Sequence, residues 1–266
     1  TLDLQIVKKD ILRLALLQSD LYWESVEDNL KSFSDQIRRL PEADLIVLPE
    51  MFSTGFSMAP EKLAEKNRML ALKWMEDVSR ERSCALCGSL CVEDQGKYVN
   101  RFFGFQKGAL DVRYDKRHLF SLAGEEKKYT AGIQQVYWEV LGWRLMPLIC
   151  YDLRFPAWSR NDGSVDLYLY VANWPEKRIS AWDTLLRARA MENMAYVAGV
   201  NRVGVDGNGM AHNGSSQVFD VLGHSLGRCP DNQQEALVVD LSMEALAENR
   251  KRFGFLQDRD RFTLQG

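Results

Sequence analysis

Apolar residues fall along this chain in two rhythms, and the alternation between them predicts most of its elements. Short runs that are almost wholly apolar predict buried strands over Leu12 to Leu17, Leu45 to Leu48, Trp143 to Cys150, Val165 to Val171 and Ala195 to Val200. Amphipathic stretches between them predict helices over Ser25 to Leu40, stopped by Pro41, over Ala59 to Arg82 and over Ser180 to Asn193. A further helix is expected to follow from Arg154, and a last one to cover Ser242 to Arg250. From Cys84 to Asp115 the pattern becomes strand, turn, strand: Cys84 to Val92, Tyr98 to Gln106 and Leu110 to Tyr114, with turns at Asp94-Gln-Gly96 and Lys107-Gly108. That spacing predicts an antiparallel meander. Gln135 to Glu139, Ser216 to Asp220, His224 to Arg228 and Ala236 to Asp240 complete the expected strands, and Asp206-Gly207, Asn208-Gly209 and Asn213-Gly214 mark turns. Strands alternating with helices at both ends, around central meanders, predict a layered α/β protein with mixed sheets. No repeat, low-complexity tract or Pro-rich linker divides residues 1–266, which read as one domain.

Composition narrows the function. Apolar residues make up 46% and charged residues 27% of the chain, which is a globular balance. With 34 Lys and Arg against 37 Asp and Glu, the net charge is −3, so no basic excess points to nucleic acid. No apolar run approaches the roughly 20 residues needed to span a bilayer. The five cysteines, an odd count without an export signal, read as reduced thiols of a cytoplasmic protein. Cys84, Cys87 and Cys91 lie in a strand of small and apolar residues with no second ligand pair, and read as core rather than metal ligands. Three histidines leave few candidates for a histidine base. No glycine-rich nucleotide motif follows a strand, which argues against a doubly wound nucleotide-binding domain.

Candidate chemistry sits at three strand ends. Glu50 follows Leu45-Ile-Val-Leu-Pro, Lys116 follows Leu110 to Tyr114, and Cys150 closes Leu145-Met-Pro-Leu-Ile. Strand C-termini are where α/β sheets meet their ligands. A thiol is mostly protonated at neutral pH and needs a base to become a nucleophile, a task a buried carboxylate can perform. A lysine can then hold the oxyanion formed by attack on a carbonyl, with the Tyr151 backbone N–H as second donor. Each residue alone also has a plain structural reading, as a core cysteine or a solvated charge.

The strings Leu-Pro-Glu50-Met-Phe-Ser-Thr-Gly-Phe, Tyr-Asp-Lys116-Arg-His-Leu-Phe and Ile-Cys150-Tyr-Asp-Leu-Arg-Phe-Pro resemble, in order, the Glu-Lys-Cys motifs of the nitrilase superfamily of carbon–nitrogen hydrolases. Ala172-Asn-Trp-Pro175, Trp182-Asp-Thr-Leu-Leu-Arg-Ala-Arg-Ala190 and the Gly124-Glu-Glu string resemble its omega-amidase branch. The resemblance runs from about Leu12 to Asp240. It implies a four-layer αββα sandwich with two mixed sheets between helix layers, a homodimer, and neither metal nor organic cofactor. It also implies a second active-site glutamate, best matched by Glu125, with Glu126 adjacent. The implied reaction is hydrolysis of the terminal amide of short dicarboxylate monoamides, such as 2-oxoglutaramate, through a thioester. Other branches (nitrilase, N-carbamoyl amidohydrolase, aliphatic amidase) and a noncatalytic relative are the alternatives.

A substrate carboxylate needs a cation, ideally an arginine. Arg154 and Arg178 are the candidates; the first could equally close a structural ion pair, the second could be a solvated helix start. Phe52, Tyr151 and Trp174 are expected as pocket walls or, alternatively, as core. Arg189 and Glu192 share a helix face and read as a structural pair. His212, in Ala-His-Asn-Gly214, departs from the aromatic residue often found in relatives, either as loop variation or at the pocket rim. The segment Lys251 to Gly266, with Phe253, Phe255 and Phe262, is expected to dock on a partner subunit.

Overall fold

A computed structural model describes residues 9–264 of the chain. The elements are, in order, β1 (Ile11–Gln18), α1 (Val26–Arg39), β2 (Leu45–Val47), α2 (Pro60–Lys66), α3 (Leu72–Glu81), β3 (Ala85–Asp94), β4 (Lys97–Gln106) and β5 (Ala109–Asp115). They continue as β6 (Trp138–Val140), β7 (Trp143–Ile149), β8 (Leu167–Ala172), α4 (Ile179–Asn193), β9 (Tyr196–Asn201), β10 (Val203–Val205) and β11 (Ala211–Asn213). The last are β12 (Gln217–Phe219), β13 (Ser225–Arg228), β14 (Glu235–Ser242) and α5 (Met243–Phe253).

Two six-stranded sheets result, ordered β14-β1-β2-β3-β4-β5 and β13-β12-β9-β8-β7-β6. Each has three parallel strands at its centre (β1, β2, β3 and β7, β8, β9) and antiparallel strands outside them. The apolar strand runs, which carry no outward polar face, are explained by burial on both sides. Leu12, Leu14 and Leu16 of β1, with Leu45 and Val47 of β2, join the core shared with the second sheet. Ala15, Leu17, Ile46 and Leu48 point the other way, onto Phe33 and Ile37 of α1 and Met75 of α3. On the far side, α4 presses Trp182 and Leu186 onto the second sheet at Gly199, where a Cβ would lie 2.5 Å from Leu186 and 2.6 Å from Trp182. The layers are therefore helix, sheet, sheet, helix.

Helix α1 buries Val26, Leu30, Phe33 and Ile37, one stripe at helical spacing, and ends where Leu40 turns extended ahead of Pro41. The helix expected over Ala59 to Arg82 is present but widened by a π turn at Asn67–Ala71. There the Asn67 amide is buried, donating to Cys91 O (2.8 Å) and accepting from Ser53 Oγ (2.6 Å). The helix expected from Arg154 does not form. A short 3-10 turn, Cys150–Arg154, takes its place, because Asp152 Oδ2 accepts the Ile149 N–H (3.0 Å) and Phe155, ahead of Pro156, leaves the helical region (ψ 84°). The turn signals at Asp206 to Gly209 belong to a two-stranded hairpin, β10–β11, whose three-residue strands were too short to show in the pattern. Helix α5 runs on to Phe253, and Phe253 and Leu256 pack against their own core while Phe255 and Phe262 stay exposed.

Candidate active site

The first sheet delivers Glu50 from the loop after β2 and Lys116 from the end of β5, and the second delivers Cys150 from the end of β7. They meet in a cleft of about 360 Å³ whose walls include Glu50, Lys116, Cys150, Tyr151, Arg154, Trp174 and Arg178. Both Met51 and Cys150 adopt left-handed backbone conformations, φ +43° and +45°. Such conformations are costly for residues with a Cβ and persist only where neighbours enforce them. Here the enforcing neighbour of Cys150 is Asp152, buried and bonded to Tyr114 Oη (2.8 Å), the His118 N–H (3.0 Å) and His118 Nδ1 (2.8 Å). His118 stacks on Phe155 at 3.8 Å, so this histidine clamps the turn rather than facing the cleft.

Lys116 is fully buried between two carboxylates. Its Nζ donates to Glu50 Oε1 (3.0 Å) and to Glu125 Oε1 and Oε2 (3.1 and 2.9 Å). Glu126, its neighbour, is exposed. Gly124 turns left-handed (φ +73°), which lets Glu125 reach back to accept the Phe120 N–H at 2.6 Å. Burial alone would lower the Lys116 pKa, but the charges of Glu125 and Glu50 outweigh it and hold the ammonium on. Burial, followed by the charge of Glu50, raises Glu125 against the opposing pull of Lys116. The Cys150 thiol is pushed well up by burial and then by Glu50, with Lys116 opposing. The resting sulfur is thus a thiol beside a carboxylate, and not a preformed thiolate.

Two asparagines absent from the sequence expectations fix the Glu50 carboxylate. Asn100 Nδ2 donates to Glu50 Oε1 (2.8 Å), and the Asn173 N–H donates to Glu50 Oε2 (2.8 Å). Asn100 could have been found as a polar residue in the apolar strand β4; Asn173 lies inside the Asn-Trp-Pro string. The walls also include Phe56, Met58, Phe120, Met210 and His212. Phe56 and Met58 sit in an irregular loop, where no periodicity marks them. His212 does reach the cleft.

Tyr151, Trp174, Arg154 and Arg178 line the cleft as the sequence suggested, but Phe52 does not. Phe52 is fully buried behind Glu50, against Phe33 (5.6 Å) and Trp74 (5.8 Å), because it follows the outward-facing Leu48 into the helix layer. Phe52→Ala should therefore cost about 3–5 kcal/mol of stability, read in urea melts, while leaving substrate KM near that of the parent. Arg154 lies over Trp174 (5.0 Å) and Arg178 over Phe120 (5.1 Å), and neither guanidinium has a carboxylate partner among the described residues. The structural pair is instead Arg189 with Glu192 (2.9 Å), and Arg189 also donates to Leu153 O.

Cys84, just before β3, and Cys87 and Cys91 within it fall in three separate packing clusters. Burial pushes Cys84 up to about 11 and Cys91 up to about 12. Among the described residues no group of His, Cys, Asp or Glu could hold a metal, and no helix is long and apolar enough to cross a membrane.

Comparison with known proteins decides the kinship. Residues 13–251 match the carbon–nitrogen hydrolase family. The chain belongs to that family. It is 44% identical to Omega-amidase YafV of Yersinia enterocolitica over 254 residues, 95% of this chain and 98% of the relative. It is 30% identical to 2-oxoglutaramate amidase of Bacillus subtilis, covering 92% and 96% of the two chains. Among solved structures, XC1258 of Xanthomonas campestris, a CN-hydrolase superfamily protein with an arsenic adduct in its active site, superposes with a TM-score of 0.93. That protein is 39% identical, with 97% and 100% of the chains covered. This carbon–nitrogen hydrolase is accordingly a hydrolase of linear amides.

Proposed function

We propose that this protein is an omega-amidase, releasing ammonia from the terminal amide of small dicarboxylate monoamides such as 2-oxoglutaramate, 2-oxosuccinamate and succinamate. The observation that carries this reading is the cleft itself. A thiol, a carboxylate and an ammonium line it together with two guanidiniums that have no carboxylate partner among the described residues. The relatives named as omega-amidase and 2-oxoglutaramate amidase agree with it.

In this mechanism Glu50 takes the Cys150 proton as sulfur attacks the amide carbonyl. Lys116 and the Tyr151 N–H hold the oxyanion of the tetrahedral intermediate. Glu50 returns its proton to the departing nitrogen, so ammonia leaves and a Cys150 thioester remains. Water, deprotonated by the same Glu50, then hydrolyses the thioester to the acid and restores the thiol. Glu125 holds Lys116 in place from the side opposite Glu50 and keeps it charged. Arg154 and Arg178 take the substrate's free carboxylate, while Tyr151 and Trp174 form the walls along its short chain. No metal or organic cofactor enters any step.

Ammonia release from a panel tests the assignment: succinamate and 2-oxoglutaramate against butyramide, glutamine, an aliphatic nitrile and an N-carbamoyl amino acid. Turnover of the two monoamides is expected to dominate; turnover of the nitrile alone would reject it. Arg154→Ala and Arg178→Ala should each raise KM for succinamate about tenfold or more, since a charge-assisted hydrogen bond is lost, with little change for butyramide. A homodimer in the cytoplasm, where the nucleophilic thiol stays reduced, completes the proposal. Half-exposed Phe255 and Phe262 in the C-terminal segment are available to the second subunit. Light scattering after gel filtration, with and without residues 255–266, checks this part.

A further inference from the structure

His212 lines the catalytic cleft from the β10–β11 hairpin and is 4% exposed. Its Nδ1 lies 3.0 Å from Met210 O. A carbonyl oxygen only accepts, so Nδ1 must carry the proton, and Nε2 is left with a lone pair and no proton. Burial, and then the charge of Arg202, lower the imidazole pKa to about 4, so the ring is neutral in the working range. Nε2 has no hydrogen-bond partner among the described residues, yet it is not one of the fully enclosed unpaired atoms.

Among the other polar members of the cleft, Lys116 and the guanidiniums are donors, both Glu50 oxygens already accept from Asn100, Lys116 and Asn173, and Asn173 Oδ1 is an unpaired acceptor but is enclosed. Asp206, also on the wall, spends Oδ1 on the Asn208 and Met210 N–H groups of its own turn. A primary amide has two N–H donors, and Glu50 can serve only one region of them. His212 and Glu50 line the same cleft.

We propose that His212 is a specificity-determining residue, whose Nε2 accepts an N–H from the scissile carboxamide and so selects primary amides over esters of the same acid. The proposal rests on the amidase reading above. An ester delivers the same acyl group to Cys150 but has no N–H to offer, so the contact is made with one substrate and not the other.

The test measures kcat/KM for two amide–ester pairs, succinamate with monomethyl succinate and butyramide with methyl butyrate. The parent is compared with His212→Leu and His212→Phe, which remove the acceptor, and with His212→Gln, which keeps one. The amide-to-ester ratio is expected to fall about tenfold in Leu and Phe, the worth of one hydrogen bond, and to stay within about threefold in Gln. A purely structural role would lower amide and ester together and leave the ratio unchanged, which overturns the proposal. A Gln ratio as low as that of Leu or Phe overturns it as well. Failure of the parent on the succinyl pair alone rejects the dicarboxylate assignment, while the butyryl pair still reads the role of His212.

Discussion

Lys116→Met is expected to abolish ammonia release and to destabilise the protein as well. The sequence presents Lys116 only as a strand-end cation, whose removal would disturb chemistry and little else. The structure buries its ammonium between Glu50 and Glu125, each 0% exposed, at 3.0 and 2.9 Å. Removing the lysine leaves two enclosed carboxylates facing each other, and breaking a buried pair from one side costs about 3–5 kcal/mol. Loss of an oxyanion donor alone costs about 10²- to 10³-fold in kcat, and misplacement of Glu50 adds to it. The pH dependence follows from Glu125, which burial already raises while Lys116 pulls it down. Without Lys116 it rises further. A carboxyl whose folded pKa lies above its unfolded value of about 4.3 binds its proton more tightly when folded. The variant is therefore most stable at low pH and loses stability as pH climbs from about 4.3 through the folded value. Urea melts between pH 5 and 8 should show a steeper decline than in the parent, and Lys116→Met/Glu125→Gln should recover part of the loss without recovering activity. Parallel pH profiles for the parent and Lys116→Met would contradict the buried triad of charges.

The second large effect is confined to chemistry. Cys150→Ala removes the only atom that can form the thioester, so turnover of succinamate should fall at least about 10⁴-fold, as when a nucleophile is deleted from a covalent mechanism. Stability should change by less than about 1 kcal/mol, because alanine keeps the same Cβ in the same left-handed conformation. Cys229 is no substitute nucleophile: it is buried at the foot of β13 and pushed up to about 12 by desolvation. Residual activity above the buffer rate in Cys150→Ala, with Cys229 alkylated by substrate analogues, would remove Cys150 from the mechanism.

These two cases show where sequence is a good guide to this protein and where it stops. Leu12 to Leu17 and Leu45 to Leu48 declare themselves as strands because both faces are buried, and the same lack of a polar face announces a sheet between layers. Glu50, Lys116 and Cys150 stand out because a reactive group directly after such a strand has few structural reasons to be there. Phe52 shows the limit: two residues past Glu50, an aromatic can face the cleft or the helices, and only the path of the loop decides. The helix expected from Arg154 failed for a similar reason. Asp152 spends its carboxylate on Ile149, Tyr114 and His118, contacts made across as many as 38 residues of sequence that no local pattern encodes. Asn100 and Asn173 were readable in principle as polar residues among apolar neighbours, but their shared target, Glu50, is visible only in three dimensions. For Arg154 the sequence left an ion pair and ligand binding equally open, and the absence of a carboxylate partner among the described residues favours the ligand.

The central claim is that turnover passes through a Cys150 thioester common to every acyl donor. Partitioning with hydroxylamine measures this directly. Wild-type protein turning over succinamate or monomethyl succinate in the same hydroxylamine buffer should yield succinohydroxamate and succinate in one ratio, whichever donor is used. Ammonia released without hydroxamate, or a ratio that depends on the leaving group, would contradict it.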